Sequence, residues 1–296
     1  MKAVVLGAAA GGGFPQWNCA CPVCTLAWTG DARVRAATQS SLAVSADGAS
    51  WTLFNASPDI LTQIARTPEL QPFEDGRNSP IRAVVLTNAD IDHIAGLLSL
   101  REGHRFEIFA LPPVLAAIRA NPVFSALSAA AFIEAVPDEA FTVTELSCTL
   151  FPVPGKVPLY QEGARVDVGS QKGETAGIAV GDGAHTLLYV PGCAHLTPPL
   201  EARLAAADAV LFDGTLFTDD EMVRAGLGAK TGRRMGHMPI SGEGGSLDFL
   251  AGLKAAQKIY VHINNTNPIW ISGSPERRAV EDRGVAVGYD GMEIVL

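Results

Sequence analysis

The sequence lacks long apolar runs and has a deficit of positive charge. No stretch reaches the roughly 18 uncharged apolar residues that a membrane-spanning helix needs. Residues 1–7, which precede a run of glycines, are too few to form the apolar region of a signal peptide. We therefore expect a soluble, cytoplasmic protein. With 22 Lys and Arg against 31 Asp and Glu, the formal net charge is −9, which disfavours binding to the phosphates of nucleic acid.

Charged residues and cysteines are also few. Charged residues make up 18% of the chain and hydrophobic residues 48%, so an intrinsically disordered protein is not expected. There are five cysteines, an odd number, and three of them lie within residues 19–24. This clustering does not suggest the disulfide framework of a secreted protein. It predicts reduced thiols, three of which hold a metal.

The order of the predicted elements indicates a mixed α/β protein. Strands are expected at 2–7, 39–46 and 51–55, with a hairpin turn at Asp47-Gly48. Strands alternate with helices further along the chain, including a helix over 112–133 that is interrupted near Pro122, and residues 226–246 read as a long glycine-rich loop. A final strand pair closes the chain. We expect one domain over residues 1–296, with two sheets packed between helices.

The most informative segment is residues 81–97, where a buried strand over 81–87 is followed by polar residues and then by a helix over 91–100. Asn88, Asp90 and Asp92 alternate along the turn, and His93 opens the helix. Carboxylate and imidazole donors together suit zinc, iron or manganese. The alternative is a surface turn whose aspartates cap a helix.

Two later segments favour the metal site over the helix cap. Residues 210–215 form an apolar strand that ends in Asp213, and residues 259–263 form another that ends at His262. They resemble two later motifs of the metallo-β-lactamase fold, an apolar strand that ends in a metal-bridging aspartate and a final histidine at a strand end.

Residues 87–93 resemble the metallo-β-lactamase signature Thr-His-x-His-x-Asp-His. Thr87, Asp92 and His93 match it, whereas Asn88 and Asp90 stand where the first two signature histidines would be. A further histidine normally found near position 155 is also missing. The resemblance implies the metallo-β-lactamase fold, an αββα sandwich of two mixed β-sheets flanked by helices. It implies that one metal subsite is weakened, and it gives these candidate ligands to an active-site metal: Asp90, Asp92, His93 and His262.

A second candidate metal site is the Cys-x-Cys-x-x-Cys motif formed by Cys19, Cys21 and Cys24. Closely spaced thiolates in a loop can occupy three corners of a zinc tetrahedron, so we predict a structural zinc. The alternative is three buried thiols without metal. Phosphodiesterases of similar fold share this spacing and complete the site with a histidine, and the corresponding position here is Asn265.

Over its whole length the chain resembles the PqqB family of pyrroloquinoline quinone (PQQ) synthesis. The segments that carry the resemblance are 11–19, 55–60, 98–103, 213–216, 232–238 and 262–268. It implies a role in making PQQ from a Glu-Tyr-containing precursor. The expected partners are that precursor or PQQ, together with other proteins of the pathway.

The family resemblance leaves three functions open. They are iron-dependent hydroxylation of the tyrosine ring, carriage of PQQ or its precursor towards the periplasm, and metal-dependent hydrolysis. A carboxylate-and-imidazole site with open positions favours non-haem iron, or another divalent metal, and hence the oxygenase. His237 and Asp213 are the candidate catalytic residues, with Asp213 either a further ligand or an acid–base group. Arg233 and Arg234 are candidates for binding substrate carboxylates.

Overall fold

Fourteen strands form two sheets in the computed structural model, which describes residues 1–296. The first sheet has the order β14-β1-β2-β3-β4-β5-β6 and contains β1 (Lys2–Gly7), β2 (Ser41–Ser45), β3 (Trp51–Phe54), β4 (Ile81–Val85), β5 (Glu107–Ala110), β6 (Ala131–Glu134) and β14 (Met292–Val295). The second has the order β13-β12-β11-β10-β9-β8-β7 and contains β7 (Ala140–Val143), β8 (Leu146–Pro152), β9 (Ala176–Gly181), β10 (Thr186–Val190), β11 (Ala209–Asp213), β12 (Gln257–Val261) and β13 (Ala286–Val287).

Nine short α-helices accompany the sheets. They are α1 (Pro22–Trp28), α2 (Ile60–Arg66), α3 (Ile91–Ile94), α4 (Pro112–Arg119), α5 (Pro198–Ala206), α6 (Glu221–Arg224), α7 (Gly232–Met235), α8 (Leu247–Gly252) and α9 (Pro275–Glu281). None of them combines the length and the apolar character that a membrane crossing would require.

The alternation of side chains along each strand divides the core into layers. In β1, Ala3 and Val5 belong to a cluster of 53 buried residues that draws on both sheets. Val4 and Leu6 point the other way, into a cluster of 23 residues completed by α2 and α4. Successive side chains of a strand face opposite sides of its sheet, so each sheet is buried on both faces. The predicted sandwich of two mixed sheets between helices is confirmed.

Each sheet combines antiparallel and parallel pairing, and the parallel strands position the polar residues. β3, β4 and β5 run parallel in the first sheet, as do β10, β11 and β12 in the second. The segments that follow β4, β11 and β12 carry the candidate ligands. The fold therefore supplies donors from both sheets to one edge of the sandwich.

The predicted helix over 112–133 is wrong in its last part. The helix ends at Arg119, a 3-10 turn covers Pro122–Ala126, and residues 131–134 form β6, which pairs parallel to β5. Proline at 122 lacks an amide N–H and disfavours helical backbone at the preceding residue, so the helix stops before it.

Three smaller predictions also need correction. The cysteine motif is not purely a loop, because Pro22 starts α1 and Cys21 caps it, which places Cys24 on a helix. The glycine-rich segment 226–246 contains α7, whose C-cap residue Gly236 has a φ of 91°. The last two strands do not pair with each other, since β13 and β14 belong to different sheets. The prediction of a single domain stays a prediction.

Candidate metal centre

Asp92, His93 and His262 converge although they come from different sheets. Asp92 and His93 lie in α3, just after β4, and His262 follows β12 directly. One donor atom from each lies within 4.8 Å of the other two. Asp92 Oδ2 is 3.1 Å from His262 Nε2 and 3.7 Å from His93 Nε2. A carboxylate and two imidazoles therefore face one point.

Each of the two imidazoles directs its Nε2 atom to that point, and the buried Nε2 of His93 lacks a hydrogen-bond partner. The hydroxyl of Thr215 lies 2.9 Å from His262 Nδ1, which leaves His262 Nε2 to face Asp92. An unpartnered buried nitrogen costs free energy unless something binds it. A divalent cation would accept all three donors, so the residues fit a metal of the zinc or iron type.

The charges in the centre stabilise one another. Burial alone would raise the pKa of Asp92, but the adjacent imidazole of His93 and the hydrogen bond with His262 hold it below its usual range. Burial lowers the pKa of His93 to about 4. His93 is therefore neutral near pH 7 and has a lone pair available for a metal.

Asp90 lies beside this group without joining it. Its Oδ2 accepts a hydrogen bond of 2.9 Å from Asn88 Nδ2, and Asn88 Oδ1 accepts one of 3.0 Å from the Asp90 amide. Burial and the charge of Asp92 raise the pKa of Asp90 to about 6. The pair forms a closed polar turn, so the structure brings together three of the four predicted ligands and leaves Asp90 next to them.

Asp213 and His237 form a second unit that shares His262. The His237 Nδ1 and Asp213 Oδ2 atoms are 2.7 Å apart, and the His237 and His262 rings stack with centroids 5.1 Å apart. Asp213 is fully buried; burial acts to raise its pKa, but the charge of His237 and their hydrogen bond keep it low. The ionised carboxylate of Asp213 can only accept hydrogen bonds, so His237 Nδ1 is the donor. His237 Nε2 then has no partner in this pair and can interact with another group.

All acceptor positions of Asp213 are used within the protein. Oδ2 accepts from the Cys193 amide at 2.9 Å and from His237, and Oδ1 accepts from the amide and hydroxyl of Thr215 at 3.0 and 2.6 Å. These bonds favour a role in orienting His237 over a role as metal ligand. Thr215, which also contacts His262, was missed at the sequence level; its place directly after Asp213-Gly214 is the signal that could have indicated it.

The three cysteines form a separate group with Asn265. Their sulfur atoms lie within 4.8 Å of one another, and the Asn265 Nδ2 position is 3.2, 4.0 and 3.2 Å from the sulfurs of Cys19, Cys21 and Cys24. Burial raises the pKa of Cys21 to about 12, so thiolates here would need a cation to stabilise them. Three sulfurs facing one polar group fit a tetrahedral zinc.

The fold is that of the metallo-β-lactamase class. The family model described as the β-lactamase superfamily domain matches residues 50–263. A diphosphatase of the PhnP family has a TM-score of 0.71 at 19% identity, covering 100% of this chain and 97% of the other, which is a likeness of fold alone.

Relatives with higher identity define the group more narrowly. Coenzyme PQQ synthesis protein B of Methylorubrum extorquens (strain PA1) is 51% identical and that of Rhizobium meliloti (strain 1021) 55%; each alignment covers 100% of this chain, with 100% and 98% of the relatives. The crystal structure of Zn²⁺-bound PqqB from Methylobacterium extorquens has a TM-score of 0.98 at 52% identity, with 100% of both chains covered. The chain belongs to the coenzyme PQQ synthesis protein B family.

Proposed function

We propose that this protein takes part in PQQ biosynthesis as an iron-dependent oxygenase that hydroxylates the tyrosine ring of a Glu-Tyr precursor. The observation that carries the proposal is the convergence of two histidines and one carboxylate, His93, His262 and Asp92. Two histidines and a carboxylate with open positions are the donor set of non-haem iron oxygenases. Iron bound there would supply the activation of O₂. One oxygen atom would enter the ring and the other would leave as water, with two electrons taken from an external reductant.

The protein's own groups would orient the substrate and handle a proton. Asp213 holds His237 with Nδ1 as the donor, so Nε2 is available beside the three ligands. We propose that His237 Nε2 positions the phenol or exchanges a proton with it. In this scheme His237 is the catalytic residue and Asp213 is a positioning residue that fixes its tautomer.

Hydrolysis is less well supported by the same residues. Asn88 is hydrogen bonded to Asp90, and Lys156 follows the position where a further histidine would be expected. An amide bonded in this way and an ammonium group are poor replacements for imidazole ligands. The other group of donors that could hold a metal, Asp213, His237 and His262, shares His262 with the first, and the oxygens of Asp213 already accept hydrogen bonds. Two metals of a dinuclear hydrolase would therefore compete for His262.

We also propose a structural zinc held by Cys19, Cys21 and Cys24, with Asn265 in the fourth position. Half a turn of the amide exchanges Nδ2 for Oδ1 and puts the oxygen 3.2–4.0 Å from the sulfurs. Ideal zinc–sulfur and zinc–oxygen bonds at tetrahedral angles give about 3.6 Å. The Zn²⁺-bound relative supports this proposal.

The test uses protein purified without oxygen, whose metal content is measured before ferrous iron, a reductant such as ascorbate, labelled O₂ and a Glu-Tyr peptide are added. We expect an iron-dependent gain of labelled oxygen on the tyrosine ring. No change in product mass with any metal, together with tight binding of PQQ or the peptide, would replace the oxygenase with the carrier.

A further inference from the structure

Three cations surround one carboxylate near the metal centre. Lys156, Lys230 and Arg234, here called the cation cluster, each place a nitrogen 3.0–3.2 Å from an oxygen of Glu162. Hydrogen bonds from Arg234 and Lys156 lower the pKa of Glu162 to about 2, so it is ionised. One negative charge against three positive charges leaves a local excess of two positive charges.

This excess is unusual for the protein as a whole. The chain carries a formal charge of −9, so an anionic substrate meets general repulsion at a distance. Around Glu162 the cation cluster makes the local net charge positive. Lys156 is also well covered, with 12% of its side chain exposed, so its interaction with an anion is less screened than that of an open surface lysine.

The cation cluster borders the metal centre on two sides. The stem of Lys156 lies against Gly236, where an added Cβ would be 3.3 Å from Lys156 Cγ, and His237 is the next residue. On the other side the Tyr160 hydroxyl donates a 2.8 Å hydrogen bond to the carbonyl of Ala89, beside Asp90. Residues 156–162 therefore connect the loop of His237 with the turn that precedes Asp92.

Arg234 has an unused donor in this cluster. Its Nη2 donates to Glu162 at 3.2 Å, whereas its Nη1 is buried and has no partner. A buried guanidinium N–H without an acceptor is costly, and a carboxylate is the acceptor that matches its geometry. Arg233 differs, because its Nη2 is already bonded to the carbonyl of Glu243 and its amide to Asp219.

We propose that Lys156, Lys230 and Arg234 form the subsite that binds the substrate's carboxylates next to the metal centre. The proposal rests on the proposed function of that centre, which it extends by naming how the substrate is held. The carboxylates bind the cation cluster while the reacting ring reaches the ligands and His237. Binding at a subsite outside the reacting atoms orients the substrate before the reaction.

Binding of matched peptides tests the subsite without depending on turnover. The probes are Glu-Tyr and Gln-Tyr-amide, which share a skeleton and differ in their two carboxylates. Calorimetry gives their dissociation constants for the metal-loaded wild type, Lys156→Met, Lys230→Met and Arg234→Met. Methionine keeps most of each apolar stem and removes the charge. Arg233→Met is the matched control.

We expect the wild type to bind Glu-Tyr at least ten-fold more tightly than the amide. Lys156→Met and Arg234→Met should lose that preference about ten-fold, Lys230→Met less, and Arg233→Met should keep it. An unchanged ratio in the first two variants would overturn the subsite, as would a wild type that binds neither peptide. Melting temperature and metal content identify any variant that has lost its fold, and Lys230→Met, at a more exposed position, then provides the test.

Oxygen incorporation, measured on the same proteins, separates the two proposals. If the wild type shows the charge-dependent preference, the variants lose it and no oxygen is added, the carboxylate subsite stands and the hydroxylase is excluded. If it adds oxygen and the variants keep the wild-type ratio of affinities, the hydroxylase stands and the subsite is excluded.

Discussion

The cysteine cluster and the strand-end centre, which is the group of Asp92, His93 and His262, differ in how their donors are distributed along the chain. Cys19, Cys21 and Cys24 lie within one short segment, whereas Asp92 and His262 are separated by 170 positions. The first group is assembled largely by local backbone, with one residue added from afar. The second exists only because two sheets place their strand ends at the same edge.

The two groups also differ in the chemistry of their donors and in whether the set of four donors is complete. The cysteine cluster offers three soft thiolates and a fourth polar group, which is the pattern of a closed structural site. The strand-end centre offers one carboxylate and two imidazoles, with His237 beside them and a buried nitrogen of His93 left free. Closed donor sets stabilise a fold, and open ones leave room for a substrate.

The largest expected effect comes from removing metal-binding side chains of the strand-end centre. His93→Ala combined with His262→Ala should abolish metal binding there and lower oxygen incorporation by more than about 10³-fold, since no donor pair remains. The measured metal content should fall by one ion per chain, because the metal of the cysteine cluster is retained. His185→Ala, at an exposed histidine, is the control. An unchanged metal content would contradict the assignment of the ligands.

Substitutions in the cysteine cluster should mainly lower the thermal stability of the protein. Cys24→Ser removes a fully buried sulfur and should lower the melting temperature by roughly 5–10 °C, because zinc binding contributes several kcal/mol to folding. Cys148→Ser, at an equally buried cysteine outside the cluster, measures the cost of a buried hydroxyl alone. Chelation should destabilise the wild type and Cys148→Ser more than Cys24→Ser, which has only the metal of the other centre to lose. Equal losses in the two variants would argue against a zinc there.

Asp213→Asn sharpens the distinction between ligand and positioning residue. The amide keeps the shape of the carboxylate but no longer fixes the proton on His237 Nδ1, so we expect turnover to fall about 10²-fold. The metal content of the centre should stay the same. Loss of metal together with turnover would show that Asp213 is a ligand, as one reading of the sequence allowed.

The smallest effect is expected at Asn265. Asn265→His should tighten zinc binding, because imidazole is a better ligand than an amide oxygen, and Asn265→Ala should weaken it about ten-fold by leaving the position to water. Competition with a chromophoric chelator measures both constants. An affinity that is the same in all three proteins would exclude Asn265 from the site.

The sequence was most informative where a motif is local or follows a strand. Asp92 and His93 could be assigned because a buried strand ends just before them, and the cysteines because of their spacing. Sequence patterns were less informative for β6, where an apolar segment after Pro122 is compatible with helix or strand. Thr215 and Glu162 were not identified as functional. Thr215 lies in a segment that carries the family resemblance but had no role assigned to it, and Glu162 belongs to no recognisable motif.

The sequence by itself determined which donors exist, the family resemblance and the class of fold, since strand and helix patterns and short motifs are properties of neighbouring residues. The tertiary structure decided which donors meet. It placed Asp90 with Asn88 rather than with the other three ligands, saturated the oxygens of Asp213, and gathered three cations around Glu162. The physical reason is that such contacts depend on the register and packing of strands far apart in the chain, which local propensity does not encode.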